Sequence, residues 1–192
     1  MRPALVFFIG PTNAGKTSIL DAIRERDNPV VAFVEVGKLL RAKYLDPNSA
    51  YYNPDFFKGK AAPEHTEAEA YRLMVDGITA SEVSGKRAVF IDGQPRSLGQ
   101  LSSIMADYID YPCQVIHVFC PRGERERRAR LRDTDSAKLA LSLARMDGDV
   151  LDVYEIDHLL KRHGVESQVV DTGVASFDVS ANATWILSKT LK

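Results

Sequence analysis

The chain has little of what would place it in several broad classes. Its 192 residues include only two cysteines, too few for the disulfide framework of a small secreted domain. Cys113 and Cys120 stand seven apart in a run that reads as one strand, so their side chains point to opposite faces and cannot bridge within it. Free thiols in a reducing, cytoplasmic setting are expected. Long apolar runs are missing as well: the one near the start, Ala4 to Ile9, falls far short of the roughly 20 residues that span a bilayer. No membrane partner is expected. The opening MRPALVFFIG has the charged start and apolar stretch of a secretion signal but no small-residue cleavage site, and it runs straight into a glycine motif, so it reads as a strand. Net charge is nearly absent, with 25 Lys and Arg against 26 Asp and Glu, and the molecule as a whole advertises no polyanion partner. There is no internal repeat, no low-complexity tract, no zinc-type cysteine cluster, no H-E-x-x-H and no nucleophile elbow.

What remains is an average globular composition, 45% hydrophobic and 27% charged, in a chain long enough to bury one core. One domain over residues 1–192 is expected. Five apolar runs recur, at Ala4–Ile9, Val30–Val36, Arg87–Ile91, Gln114–Phe119 and Ser167–Val170. Helical spacing fills the intervals at Thr17–Arg26, Thr66–Ser84, Leu98–Tyr108, Arg122–Leu131 and Ser136–His163, with Gly148 the place where the last could break. The runs are nearly continuous in Val, Ile, Phe and Ala, the pattern of parallel strands covered on both faces. This predicts an α/β fold, a three-layer α/β/α sandwich around a five-stranded parallel sheet. The stretch Tyr44 to Pro63 is the least regular, rich in Pro, Asn and aromatics. A loop of that length is expected to be a lid or binding loop, the alternative being that its aromatics plug one end of the core.

Residues Gly10 to Thr17 read GPTNAGKT, which matches G-x-x-x-x-G-K-[ST] and follows an apolar strand and precedes a helix, as that motif requires. Gly10 and Gly15 allow a tight loop whose N–H groups face phosphate oxygens, and the helix adds its positive end. Gly10, Asn13, Ala14, Gly15, Lys16, Thr17 and Ser18 are therefore the candidate nucleotide-binding residues. Lys16 would reach the β and γ oxygens and Thr17 would offer a hydroxyl to Mg²⁺. Asp92 ends the strand AVFID, where a carboxylate can hold the same metal. The N-K-x-D guanine reader of the GTPase switches is absent, and motor ATPases are normally larger. Size and arginine content point to a small kinase.

Two further segments make the chain resemble the nucleoside monophosphate kinases, the adenylate kinase family. VGKLLR at Val36–Arg41 is similar to that family's T-G-D-x-L-R, and DGQPRSLGQ at Asp92–Gln100 is similar to D-G-F-P-R-x-x-x-Q. The resemblance implies an acceptor-binding segment over residues 37–80. In it Gly37 belongs to the acceptor site, Arg41 and Arg96 grip the acceptor's phosphate, and Gln100 reads its base edge. Two guanidinium forks neutralise and orient a dianion, and orientation supplies much of the acceleration in phosphoryl transfer. RGERERRARLR at Arg122–Arg132 is partly a solvated helix face. Arg128 and Arg132, four apart on one face, fall where the family places its donor-side arginines, and Arg145 matches the last of that set. The family's long lid is missing, so residues 122–145 are expected to form a short arginine-rich lid.

The departures bear on the acceptor. Val36 and Lys38 replace the family's Thr and Asp, Gln94 its usual Phe, and Glu35 stands at a position normally small and polar. A monophosphate acceptor is already anionic, whereas a hydroxyl acceptor needs a carboxylate to take its proton, a role Glu35 or Asp92 can fill. The resemblance thus implies an ATP- and Mg²⁺-dependent kinase acting on a nucleotide acceptor. The alternative is a kinase acting on a hydroxymethylated base, 5-hydroxymethyluracil, in DNA, where the aromatic loop would stack or track a strand. A third reading, a nucleotide-gated binding protein without turnover, leans on Val36 and Lys38. His65 sits in an acidic helix opening, His117 in a core strand, and His158 and His163 late in a helix, so none is a candidate catalyst. Arginines are expected to gather with Lys16, Arg41 and Arg96 along one cleft, with the acidic Glu64, Glu67 and Glu69 lying elsewhere.

Overall fold

A computed structural model describes residues 1–54 and 63–191, leaving aside the side chains of residues 63–65, 145, 147–154 and 157. The elements run β1 (Ala4–Ile9), α1 (Lys16–Arg24), β2 (Val31–Glu35), α2 (Val36–Tyr44), α3 (Pro63–Val83), β3 (Ala88–Asp92) and α4 (Leu98–Asp107). Then come β4 (Cys113–Phe119), α5 (Arg122–Arg132), α6 (Ser136–Arg162), β5 (Glu166–Asp171) and α7 (Val179–Thr190). All strand pairs are parallel, in the order β2-β3-β1-β4-β5. The five expected strands are all present, each within one residue at either end.

Period-two alternation sends the two faces of the sheet into separate cores. Leu5, Phe7 and Ile9 of β1 join Val34, Val89, Ile91 and Val115 under Leu40, Met74, Ile104 and Ile156 of α2, α3, α4 and α6. Val6 and Phe8 join Phe90, Ile116 and Val118 under Ile19, Leu20 and Ile23 of α1 and Ala183 and Ile186 of α7. Phe90 stacks on Phe33 at 5.7 Å and meets the edge of Phe8 at 5.9 Å. Each such fully buried side chain contributes about 2–3 kcal/mol. The result is the three-layer sandwich.

The helices differ from expectation in three places. Residues 36–44, which the apolar run of β2 and the irregular stretch after it obscure, form α2, because Val36 and Leu40 lie four apart and bury one face. Residues 179–190 form α7, capped by the Asp178 side chain, which accepts from Ala181 N–H at 2.9 Å. Trp185, 38% exposed beside the buried Ile186 and Leu187, blurs its period. α6 continues through Gly148, since a lone glycine costs about 1 kcal/mol and Met146 and Ile156 are buried on either side of it. In the irregular stretch, Tyr44 packs against the core, as the alternative reading has it, whereas Tyr51 and Tyr52 are 62% and 46% exposed and do not; Phe56 and Phe57 lie outside the described residues. Cys113 and Cys120 are both free. Among the described residues no helix is long and apolar enough to cross a membrane.

The chain leaves β1 toward β2 on one side and later crosses to β4 on the other. That reversal opens a crevice at the carboxyl ends of the strands, the place where open α/β sheets bind ligands.

Candidate active site

Everything singled out from the glycine motifs lies along that crevice. Gly10 has φ +147°, and a β-carbon there would stand 2.3 Å from the Val118 carbonyl oxygen on β4, so only glycine lets the chain leave β1 this close to its neighbour. Gly15, at φ +98°, is the N-cap residue of α1. The loop between them wraps in front of the helix N-terminus, where backbone N–H groups and the helix dipole favour an anion. Lys16 lies across the loop, its Nζ donating to the Gly10 carbonyl at 2.6 Å and the Pro11 carbonyl at 3.1 Å. Thr17 and Ser18 are exposed in the first turn, and Ala14 is buried.

The far side of the sheet secures this loop. Thr172, just past β5 and 2% exposed, donates its hydroxyl to the Ala14 carbonyl at 2.6 Å. Arg128 donates to the Thr172 carbonyl at 2.6 Å and the Thr172 hydroxyl at 3.1 Å, and pairs with Glu124 at 2.9 Å. Arg132 donates to the Asn13 side-chain carbonyl at 2.7 Å and pairs with Asp133. Both arginines therefore reach the loop, and only the three residues Asp133–Asp135 connect α5 to α6. The Arg145 side chain lies outside the described residues. Sequence reasoning missed Thr172 and also Arg125, which is 3% exposed with one guanidinium nitrogen unpartnered. A polar residue directly after a β5 carboxyl end is the signal that could have found Thr172.

Asp92 and Glu35 stand side by side, paired in register at the ends of β3 and β2. Burial pushes the Asp92 carboxyl up from its usual range. The positive charges of Lys16 and Arg96 pull it back down, and the negative charge of Glu35 adds to the rise. One Asp92 oxygen is buried without a hydrogen-bond partner. Glu35 is differently placed: Arg24 and Lys38 both engage it, the latter at 2.7 Å. Of the two carboxylates that could act as a base, Asp92 carries the bare oxygen.

Beside the turn after β3, a cleft of about 600 Å³ is lined by Arg41 from α2, by Thr66, Glu67 and Ala70 from α3, and by Gln94 and Arg96 from that turn. A smaller cavity of about 80 Å³, lined by Gly10 and Lys16, shares Thr12, Gly93, Gln94 and Arg96 with it. Gly37 and Gly93 bring the two arginines together. A β-carbon on Gly37 would meet the Arg41 guanidinium at 3.5 Å; one on Gly93 would lie 3.6 Å from the Gly37 nitrogen and 3.8 Å from the Arg96 guanidinium. Gln100 is buried, and its side-chain carbonyl accepts from the Arg96 backbone N–H at 2.5 Å, so it holds the turn in shape. Gln94 is 1% exposed, and its side-chain oxygen has no partner. Glu67 corrects the expectation that the acidic residues of this segment lie away from the cleft: helical spacing puts it on the rim beside Thr66 and Ala70. Glu69 does lie apart, bound to Lys43 and Arg72.

No protein-family model matches the chain, and no curated protein matches it in sequence. Its fold is similar to that of a 1.70 Å crystal structure described as a "putative kinase" from Chloroflexus aurantiacus J-10-fl, with a TM-score of 0.60 and 16% sequence identity, covering 98% of this chain and 96% of that one. At that identity the likeness is one of fold.

Proposed function

We propose that the protein transfers the γ-phosphoryl group of ATP to a nucleotide acceptor. The observation that carries this reading is the shared wall between the two cavities. Lys16 of the phosphate loop lines the small one, and the Gly93–Arg96 turn belongs to both, so a donor phosphate on the loop and an acceptor in the cleft would meet there. Lys16 binds and orients the transferring group, Arg132 approaches the loop from α5, and Arg41 and Arg96 neutralise the acceptor's phosphate. The oxygen donors present fit Mg²⁺, which keeps several waters and takes one or two carboxylates plus substrate phosphates. The unpartnered buried Asp92 oxygen and the exposed Thr17 hydroxyl would hold it. When bound, the metal would supply charge neutralisation on the phosphates.

A free monophosphate is the first acceptor. A hydroxymethylated base in DNA is the second, favoured by one observation: Asp92 keeps a carboxylate oxygen without a hydrogen-bond partner, and a hydroxyl acceptor needs a carboxylate to take its proton. Incubating the protein with labelled ATP, free nucleoside monophosphates and 5-hydroxymethyluracil-containing duplex tests both. Transfer is expected with the parent chain and is abolished in Lys16→Ala. Full transfer by Lys16→Ala would overturn the assignment, and transfer to a free monophosphate but not to DNA would eliminate the second acceptor.

A further inference from the structure

We infer that Gln94 and Thr66 form a second recognition point in the acceptor cleft, which takes an N–H or O–H donor carried by the nucleotide; the inference rests on the kinase reading above. Gln94 is 1% exposed, and its side-chain carbonyl has no hydrogen-bond partner. An amide oxygen left bare in the interior is destabilising, and buried polar groups are otherwise almost always satisfied. Thr66, on α3, repeats the situation: its hydroxyl is buried and unpartnered. Both residues line the same cleft of about 600 Å³.

The cleft is polarised. Its cations, Arg41 and Arg96, sit on α2 and the turn after β3, and the exposed carboxylate of Glu67 joins Thr66 on α3. Apolar Val36, Leu40 and Ala70 complete the wall. A carbonyl oxygen only accepts, and phosphate oxygens are acceptors too. The phosphate therefore belongs with the two guanidinium groups, and the Gln94 oxygen belongs with a neutral, proton-bearing part of the acceptor. That part is a base N–H or a hydroxyl. Gln100, the residue that the motif pattern assigns to base reading, has its carbonyl occupied by the Arg96 N–H, and Gln94 takes over the task.

Binding calorimetry on the full chain tests this with matched probes. dTMP is compared with N3-methyl-dTMP, dGMP with N1-methyl-dGMP, and 5-hydroxymethyl-dUMP with dTMP; the first two pairs remove an N–H and the third adds an O–H. In the parent protein the donor-bearing member of at least one pair is expected to bind about 10-fold more tightly. Gln94→Met, nearly isosteric, erases that preference by weakening the donor-bearing member of the pair toward the affinity of the other, and Thr66→Val weakens it in the same sense. Equal binding within every pair by the parent, or a preference that survives in Gln94→Met, overturns the inference. The parent comparison needs no variant, so it can overturn the inference even if Gln94→Met does not fold. Absence of phosphoryl transfer from labelled ATP would instead count against the kinase reading and leave the binding preference standing.

Discussion

The Thr172 hydroxyl donates to the Ala14 carbonyl at 2.6 Å, tying the Gly10–Thr17 loop to the chain just beyond β5 on the far side of the sheet. The same hydroxyl accepts from Arg128 at 3.1 Å, so one buried side chain joins three parts of the site. Thr172→Val keeps the shape and removes these bonds. It is expected to lower stability by about 1–3 kcal/mol, the cost of leaving buried partners unmade, and to weaken ATP binding by loosening the loop. Urea unfolding and nucleotide titration on the same preparation measure both.

Gly10→Ala is expected to be more damaging than its size implies. The added methyl would sit 2.3 Å from the Val118 carbonyl at a φ of +147°, so the loop or β4 must move. A loss of about 2 kcal/mol or more follows from the strain and clash, with ATP binding lost even in the fraction that folds. An unchanged unfolding midpoint would contradict the geometry.

The two neighbouring carboxylates separate by mutation. Glu35→Gln keeps transfer within about tenfold of the parent, because Arg24 and Lys38 already occupy Glu35. Asp92→Asn loses about 100-fold or more, the scale of a metal or base contact. Stability moves the other way. The Asp92 pKa is raised on folding above its usual 3.8, so the parent is penalised as pH rises through the folded value. Asp92→Asn should therefore be more stable than the parent at pH 7, with the gap closing below about pH 4. Unfolding curves at about pH 3.5 and about pH 7 read the sign directly.

Glu69 titrates in the opposite sense. Arg72 grips both of its oxygens at 2.8 and 3.0 Å and Lys43 adds a contact at 2.5 Å, holding its carboxyl at about 2 instead of the usual 4.5. That stabilisation is complete above about pH 4.5 and lost as pH falls toward 2. Glu69→Gln should unfold more readily than the parent at pH 7 and show a shallower acid limb between about pH 4.5 and 2. It should leave ATP affinity unchanged, since Glu69 lies apart from the cleft.

The sheet was legible because the runs of Val, Ile, Phe and Ala in its three central strands, β1, β3 and β4, satisfy one rule, burial on both faces, and that rule depends only on neighbours along the chain. The glycine loop after β1 was legible for a similar reason: Gly10 and Gly15 take backbone conformations that favour glycine, and Lys16 folds back onto its own loop. α2 and α7 were not. The core-facing residues of α2 begin at Val36, which also extends the apolar run of β2, and in α7 the exposed Trp185 adjoins the buried Ile186 and Leu187, so local periodicity is weak where tertiary packing makes the choice.

Composition and motif spacing were enough for the layer architecture, the loop at the end of β1 and the carboxylate at the end of β3, since each follows from covalent order and local sterics. Which carboxylate is left bare, which glutamine keeps an unpartnered carbonyl in the cleft and which arginine braces the loop all required the fold. Arg24 lies 11 residues from Glu35 and Ala14 lies 158 from Thr172. Groups that distant meet only when the sheet is assembled, and burial and partnership, the quantities that decide their chemistry, exist only then.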